Sequence, residues 1–200
     1  MLKQVPNILT FGRVVLTILF LGILLYIPQA QDRTRLIDVA FVIFVIAGLT
    51  DIIDGPVARK LNVTSKMGRM LDPLADKVLV CGAFICFALI GLPEYLFNWP
   101  DTTLHIVRWS IVAVLLAREV YVTVLRHAAE ARGIDFRAVR SGKIKMLIQS
   151  FTIGTLLVKA GHVQTAMWGH WFTTITFIIM LSITIASGVD ATLRILQKSA

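Results

Sequence analysis

Six runs of mostly apolar residues divide this chain, at about 8–27, 36–56, 70–92, 104–126, 143–161 and 168–192, each close to the length that crosses a bilayer. Inside lipid the backbone must satisfy its own hydrogen bonds, and for separate runs of this length only helices do so. The expected fold is therefore all-α, a polytopic membrane bundle of six transmembrane helices. Composition agrees: of 200 residues, 56% are hydrophobic and 16% charged, with a mean hydropathy of +0.78. A soluble domain of this size cannot bury so much apolar surface. A single domain over 1–200 is expected, without internal repeat or low-complexity segment. The first run reads as a retained helix, because residues 1–13 carry no strong basic cluster and Gly22 and Ala30 make no cleavage pattern. Cys81 and Cys86 share one apolar run and form neither a metal spacing nor a disulfide framework.

Charge sets the expected orientation. Lys3, Arg13, Arg59, Lys60, Lys66, Arg69, Arg126, Arg132, Arg137, Arg140, Lys143, Lys145, Arg194 and Lys198 fall on one side, 14 against the 4 of Arg33, Arg35, Arg108 and Lys159. The positive-inside rule then puts both termini in the cytoplasm. Trp99, Trp109, Trp168 and Trp171 fall near the opposite interface, as anchoring aromatics do. The net charge of +8 has two readings, nucleic acid or anionic lipid. The apolar composition favours lipid and argues against a nucleic-acid partner.

Between the second and third runs lies D-x-x-D-G-x-x-A-R, eight residues, then G-x-x-x-D-x-x-x-D: Asp51, Asp54, Gly55, Ala58, Arg59, Gly68, Asp72 and Asp76. A carboxylate at a membrane centre costs about 2.5–3.5 kcal/mol, so four unpaired ones would cost roughly 10 kcal/mol. They demand compensation. Asp51 and Asp54, three apart, share a helix face, and Gly68, Asp72 and Asp76 step by four along another. A short connection makes the two segments antiparallel neighbours whose acidic faces can converge at the cytosolic mouth. Four hard oxygen donors suit Mg²⁺ or Mn²⁺ bridging phosphate oxygens. Gly55, Ala58 and Gly68 keep the stripes free of bulk, and Arg59 can pair with a diphosphate. The alternative is a buried ion-pair network with Arg59, Lys77 and Arg69. Pro73 either opens a helix, with Asp72 as its cap, or interrupts one already begun.

This segment resembles the signature of the CDP-alcohol phosphotransferases at all its defining positions. Pro6-Asn7-x-Leu9-Thr10-x-x-Arg13, Leu71 to Lys77, Arg118-Glu119 and Gly142-Lys143-x-Lys145-x-x-x-Gln149 look like the bacterial phosphatidylglycerophosphate synthase branch. Met146, where that branch usually has Thr, and Pro56 inside the signature are departures. The resemblance spans essentially the whole chain. It implies a bacterial cytoplasmic (inner) membrane enzyme with its active site facing the cytoplasm and homodimeric assembly. It also implies metal-dependent transfer of a phosphatidyl group from CDP-diacylglycerol to glycerol 3-phosphate, releasing CMP. Asp51, Asp54 and Asp72 would bind metal. Asp76 would be the base and complete a second metal's coordination. Asn7, Thr10, Asp51, Gly55, Ala58, Arg59 and Gly68 would hold the CDP-lipid.

Glycerol 3-phosphate is a dianion and needs fixed cations. Arg118 lies deep in an apolar run, and Lys143 and Arg140 lie near the cytosolic start of the fifth. These three are the expected acceptor-phosphate residues, against an Arg118–Glu119 structural pair and ordinary positive-inside charge as alternatives. His105, His127, His162 and His170 show no ligand spacing and read as loop or interface residues. Gln149 either lines the acceptor site or makes a polar helix contact. Two rival functions remain: the same chemistry with inositol phosphate, serine or phosphatidylglycerol as acceptor, and a divalent-metal transporter. Transporter sites lie near the midplane, often on broken helices, whereas this cluster lies at one face.

Overall fold

A computed structural model describes the backbone of residues 5–60, 66–92, 99–132 and 140–199, and the side chains of 11–50, 74–92, 99–132 and 142–197. Among these residues there are six α-helices, one 3-10 turn and no strand: α1 (Val5–Tyr26), the turn Ile27–Gln29, α2 (Arg33–Lys60), α3 (Lys66–Ile90), α4 (Asp101–Ala131), α5 (Arg140–His162) and α6 (Met167–Ser199). By length and composition, two described stretches, Phe11–Gln29 and Met167–Gln197, are apolar enough to cross a membrane unaided.

Local chemistry sets several of the helix ends. Pro28 sits in the turn after α1, and Asp32 accepts the Arg35 N–H at 3.1 Å, capping the start of α2. Helix α3 closes on Gly91, whose φ of 81° is left-handed, with Leu92 N–H donating back to the Phe87 carbonyl at 2.9 Å. That six-to-one bond is the Schellman ending, which glycine supplies without a Cβ penalty. Asp101 lies in the first turn of α4, where its charge favours the helix dipole. Pro73 lies within α3, which begins at Lys66, so it does not open the helix. It interrupts one already begun, having no N–H to give the carbonyl four residues back.

The chain forms two compact units. The first comprises residues 1–93 and 153–165. Here α1 packs on both α2 and α3. The buried residues of α1, Arg13, Thr17, Phe20 and Leu24, recur at steps of four and three, followed by Ile27 in the turn. Ile37, Ala40, Phe44 and Ala47 do the same on α2. This is the spacing of near-parallel helix packing. Phe20 meets Phe44 with ring centroids 5.4 Å apart. Gly82 of α3 allows a close approach to α1: a Cβ there would stand 2.8 Å from Leu21 Cδ1. The end of α5 belongs to this unit, with His162 Nε2 hydrogen-bonded to Asp38 Oδ1 at 2.7 Å.

The second unit comprises 94–152 and 166–200, with α4 packed on α6 and the first part of α5 joining them. The inner stripe of α6 includes Thr173, Thr176, Thr184 and Ser187, all buried. Its outer face carries Ile175, Ile178, Ile179, Ile185 and Val189, all about half exposed or more. A soluble helix has the opposite arrangement. Small polar residues inside and branched aliphatics outside are what a helix in lipid presents. Three of the four buried hydroxyls bond to their own helix: Thr173 to the Gly169 carbonyl at 2.8 Å, Thr176 to Phe172 at 2.7 Å and Ser187 to Thr184 at 2.8 Å. The four tryptophans are all exposed, and Trp109 Nε1 donates to His105 Nε2 at 3.1 Å.

Candidate functional site

The signature aspartates lie on helices. Asp51 and Asp54 are in the last turns of α2, and Asp72 and Asp76 are in α3. Asp76 is the one whose side chain is among those described. The side chains of Asp51, Asp54, Gly55, Ala58, Arg59, Gly68 and Asp72 lie outside the described residues, as do those of Asn7 and Thr10 on α1. So does any meeting of the acidic faces of α2 and α3.

Asp76 is partly exposed, and its Oδ1 accepts a hydrogen bond from Arg13 Nη1 at 3.2 Å. Arg13 is 1% exposed. A buried guanidinium is costly without an anion, and α3 supplies one. The ion-pair alternative expected Arg59, Lys77 or Arg69 as partners, and the side chains of Arg59 and Arg69 lie outside the described residues; a described partner of Asp76 comes from α1, 63 residues earlier. Among the described residues no three His, Cys, Asp or Glu side chains form a metal site. The donor set nevertheless fits a hard divalent cation: four carboxylates on two helices, of which Asp76 keeps 24% of its side chain exposed and within reach of a ligand.

A second charged cluster lies in the other unit. Arg118 Nη1 donates to Glu119 Oε1 at 2.9 Å, and Lys145 Nζ of α5 donates to the same oxygen. Arg118 Nη2 donates to Ser187 Oγ of α6 at 2.9 Å. Ser187 is bonded in turn to the Thr184 carbonyl, and Gln149 Nε2 reaches Thr184 Oγ1 at 3.3 Å. Three helices thus converge on a polar network with two cations and one anion. Arg118 Nε is buried and has no hydrogen-bond partner among the described residues. Two cations crowded on one carboxylate oxygen, with a further buried N–H beside them, can accept an anionic group with several oxygens.

The acceptor residues expected from sequence separate here. Arg118 is in the cluster, Lys143 is exposed, and Arg140 opens α5 with its side chain outside the described residues. Of the two lysines near the start of α5, Lys145 is the buried one. A signal was present: Lys145, Gln149, Thr152 and Leu156 step by four, three and four, one helix face, and Lys143 lies off it. The Arg118–Glu119 pair and the Gln149 contact to α6 are both present, as their alternative readings expected.

The sequence model described as CDP-alcohol phosphatidyltransferase matches residues 3–182 of this chain. The chain is 31% identical over 198 residues to a "Probable phosphatidylglycerophosphate synthase" of Mycobacterium tuberculosis, covering 98% of this chain and 83% of that one. It is 32% identical over 163 residues to the "CDP-diacylglycerol--glycerol-3-phosphate 3-phosphatidyltransferase" of Bacillus subtilis, covering 78% and 77%. With the protein of the same name from Salmonella choleraesuis it shares 33% over 158 residues, covering 77% and 76%.

Proposed function

This chain belongs to the CDP-alcohol phosphatidyltransferase family, and on that premise we propose that it transfers the phosphatidyl group of CDP-diacylglycerol to glycerol 3-phosphate. The products are phosphatidylglycerophosphate and CMP, in phospholipid biosynthesis. The names of its relatives support this acceptor. The observation that carries it is the meeting of Arg118 and Lys145, both largely buried, on one oxygen of Glu119. A phosphate dianion matches such a cation pair, whereas serine, a zwitterion, does not.

The acceptor hydroxyl attacks the phosphorus next to diacylglycerol. A new P–O bond forms, the diphosphate P–O bond breaks, and CMP departs with the electron pair. Asp76 takes the hydroxyl proton. Asn7, Thr10, Asp51, Gly55, Ala58, Arg59 and Gly68 hold the CDP moiety. Arg118, Lys145, Arg140 and Lys143 hold the acceptor phosphate. Asp51, Asp54, Asp72 and Asp76 would hold Mg²⁺ or Mn²⁺, which when bound supplies positive charge to the diphosphate as CMP leaves.

The apolar outer face of α6 and the apolar exposed residues of α2, α4 and α5 support all six helices lying in the membrane. Lysine and arginine counts support both termini and the site facing the cytoplasm, in a bacterial inner membrane. We read 1–200 as one functional domain, because the family match runs through both compact units, and as a homodimer by family resemblance.

Detergent-solubilised protein with labelled CDP-diacylglycerol should release CMP with glycerol 3-phosphate and not with serine, inositol phosphate or phosphatidylglycerol. Release that follows another acceptor would replace the assignment. EDTA should abolish release, and Mg²⁺ or Mn²⁺ should restore it. Metal uptake into proteoliposomes lacking CDP-diacylglycerol would favour a transporter instead. Lys145→Met should raise the KM for glycerol 3-phosphate by about 10–100-fold, the loss of one charge-assisted bond, or about 1.5–3 kcal/mol. Lys143→Ala at the exposed position should raise it only a few-fold. Initial rates against acceptor concentration rank the two lysines, and equal effects would undo the ordering.

A further inference from the structure

The geometry points to Arg13 as the residue that positions the Asp76 carboxylate, an inference that rests on Asp76 being the base proposed above. Arg13 belongs to the opening motif of the chain, and the proposed chemistry gives it no task. Its register is informative. Arg13, Thr17, Phe20 and Leu24 form the buried stripe of α1, so the guanidinium is aimed into the bundle and not drawn out along lipid. It is 1% exposed, and Nη1 stands 3.2 Å from Asp76 Oδ1. Thr17 spends its hydroxyl on the Arg13 carbonyl at 2.8 Å, a bond within α1. Six residues beyond Asp76, Gly82 brings α3 close to Leu21 of α1, where an added Cβ would be 2.8 Å away. That close approach holds the two helices at a spacing the long arginine side chain spans.

A carboxylate turns about its Cβ–Cγ bond. A base must hold an oxygen within about 2.6–3.2 Å of the hydroxyl it deprotonates. Anchoring one oxygen to a planar donor that cannot lose its charge restrains that rotation. Lysine at the same place would keep the charge but carry it as a point on a flexible stem, without the planar guanidinium that fixes the direction of the bond. Arg13 is thus a positioning residue and touches no substrate. A purely structural role, neutralising buried charge, predicts that lysine suffices and that any loss appears in stability and substrate binding together.

The test uses full-length protein in detergent with Mg²⁺. Arg13→Lys and Arg13→Gln are compared with the parent for kcat, both KM values, CDP-diacylglycerol affinity and thermal midpoint. Arg13→Lys should lower kcat by about 10–100-fold, the effect of a misplacement of up to an ångström. CDP-diacylglycerol affinity, both KM values and the midpoint should hardly move. Arg13→Gln should lower kcat further. In an Asp76→Asn background Arg13→Lys should cost almost nothing more, because the group it positions has lost its function. Unchanged kcat in Arg13→Lys overturns the inference. So does a kcat loss matched by lost CDP-diacylglycerol binding, or one that recurs in full in the Asp76→Asn background. Failure of both variants to fold makes Arg13 a folding residue and overturns it too. If Asp76→Asn itself turns over normally, the base assignment fails first. If Asp76→Asn is inactive while Arg13→Lys is fully active, only the positioning role fails.

Discussion

Asp76→Asn is expected to lower CMP release by about 10²–10⁴-fold, the range a positioned general base contributes. Asparagine keeps the shape of the side chain and an oxygen that can accept the Arg13 hydrogen bond, so α1 and α3 should stay together. What it removes is the negative charge and the ability to carry the proton of the acceptor hydroxyl. CDP-diacylglycerol binding should fall only modestly, since Asp51, Asp54 and Asp72 remain. Asp51→Asn or Asp54→Asn should instead weaken metal and CDP-lipid binding together. Turnover assays paired with equilibrium binding of labelled CDP-diacylglycerol separate the two patterns. Normal turnover in Asp76→Asn would remove the proposed base.

The second large effect concerns stability. Glu119 is 13% exposed and Lys145 9%, so their ion pair is not a surface contact of negligible worth. Glu119→Leu has nearly the same volume but leaves Arg118 and Lys145 facing each other without the Glu119 carboxylate. Breaking a buried pair in this way costs about 3–5 kcal/mol. For a chain of this size that is a fall in thermal midpoint of roughly 6–20 °C, at about 2–4 °C per kcal/mol. Glu119→Gln retains one acceptor oxygen and should lose less. A saturating phosphate-bearing acceptor should restore part of the midpoint in Glu119→Leu, because it brings negative charge to the two cations. Thermal melts in detergent with and without glycerol 3-phosphate measure both effects. An unchanged midpoint in Glu119→Leu would mean that the cluster contributes nothing to holding α4, α5 and α6 together.

The helices were legible from the apolar runs, but their lengths were not. Helix α2 extends to Lys60 and α3 begins at Lys66, beyond the windows 36–56 and 70–92. Hydropathy measures the thickness of hydrocarbon a segment can cross, whereas backbone hydrogen bonding continues through polar residues. Pro73 left two options that composition cannot separate, because the same residue opens helices and interrupts them. At the site, the aspartates were conspicuous because their spacing is local. The Arg13–Asp76 pair joins residues 63 apart, and no periodicity within one helix reports such a contact. The burial of Lys145 was within reach of sequence reasoning. The face it shares with Gln149 and Thr152 separates it from Lys143, which charge counting treats as its equal.

The hydroxyls of α6 also bear on the order in which the protein is assembled. Thr173, Thr176 and Ser187 each bond to a carbonyl of their own helix, so α6 can enter the bilayer alone with those groups already satisfied. Helix α4 has no such independence. Arg118 and Glu119 neighbour each other on it, but the Lys145 charge arrives only with α5 and the Ser187 hydroxyl only with α6. The charged centre of this unit is thus complete only when α5 and α6 have both joined α4.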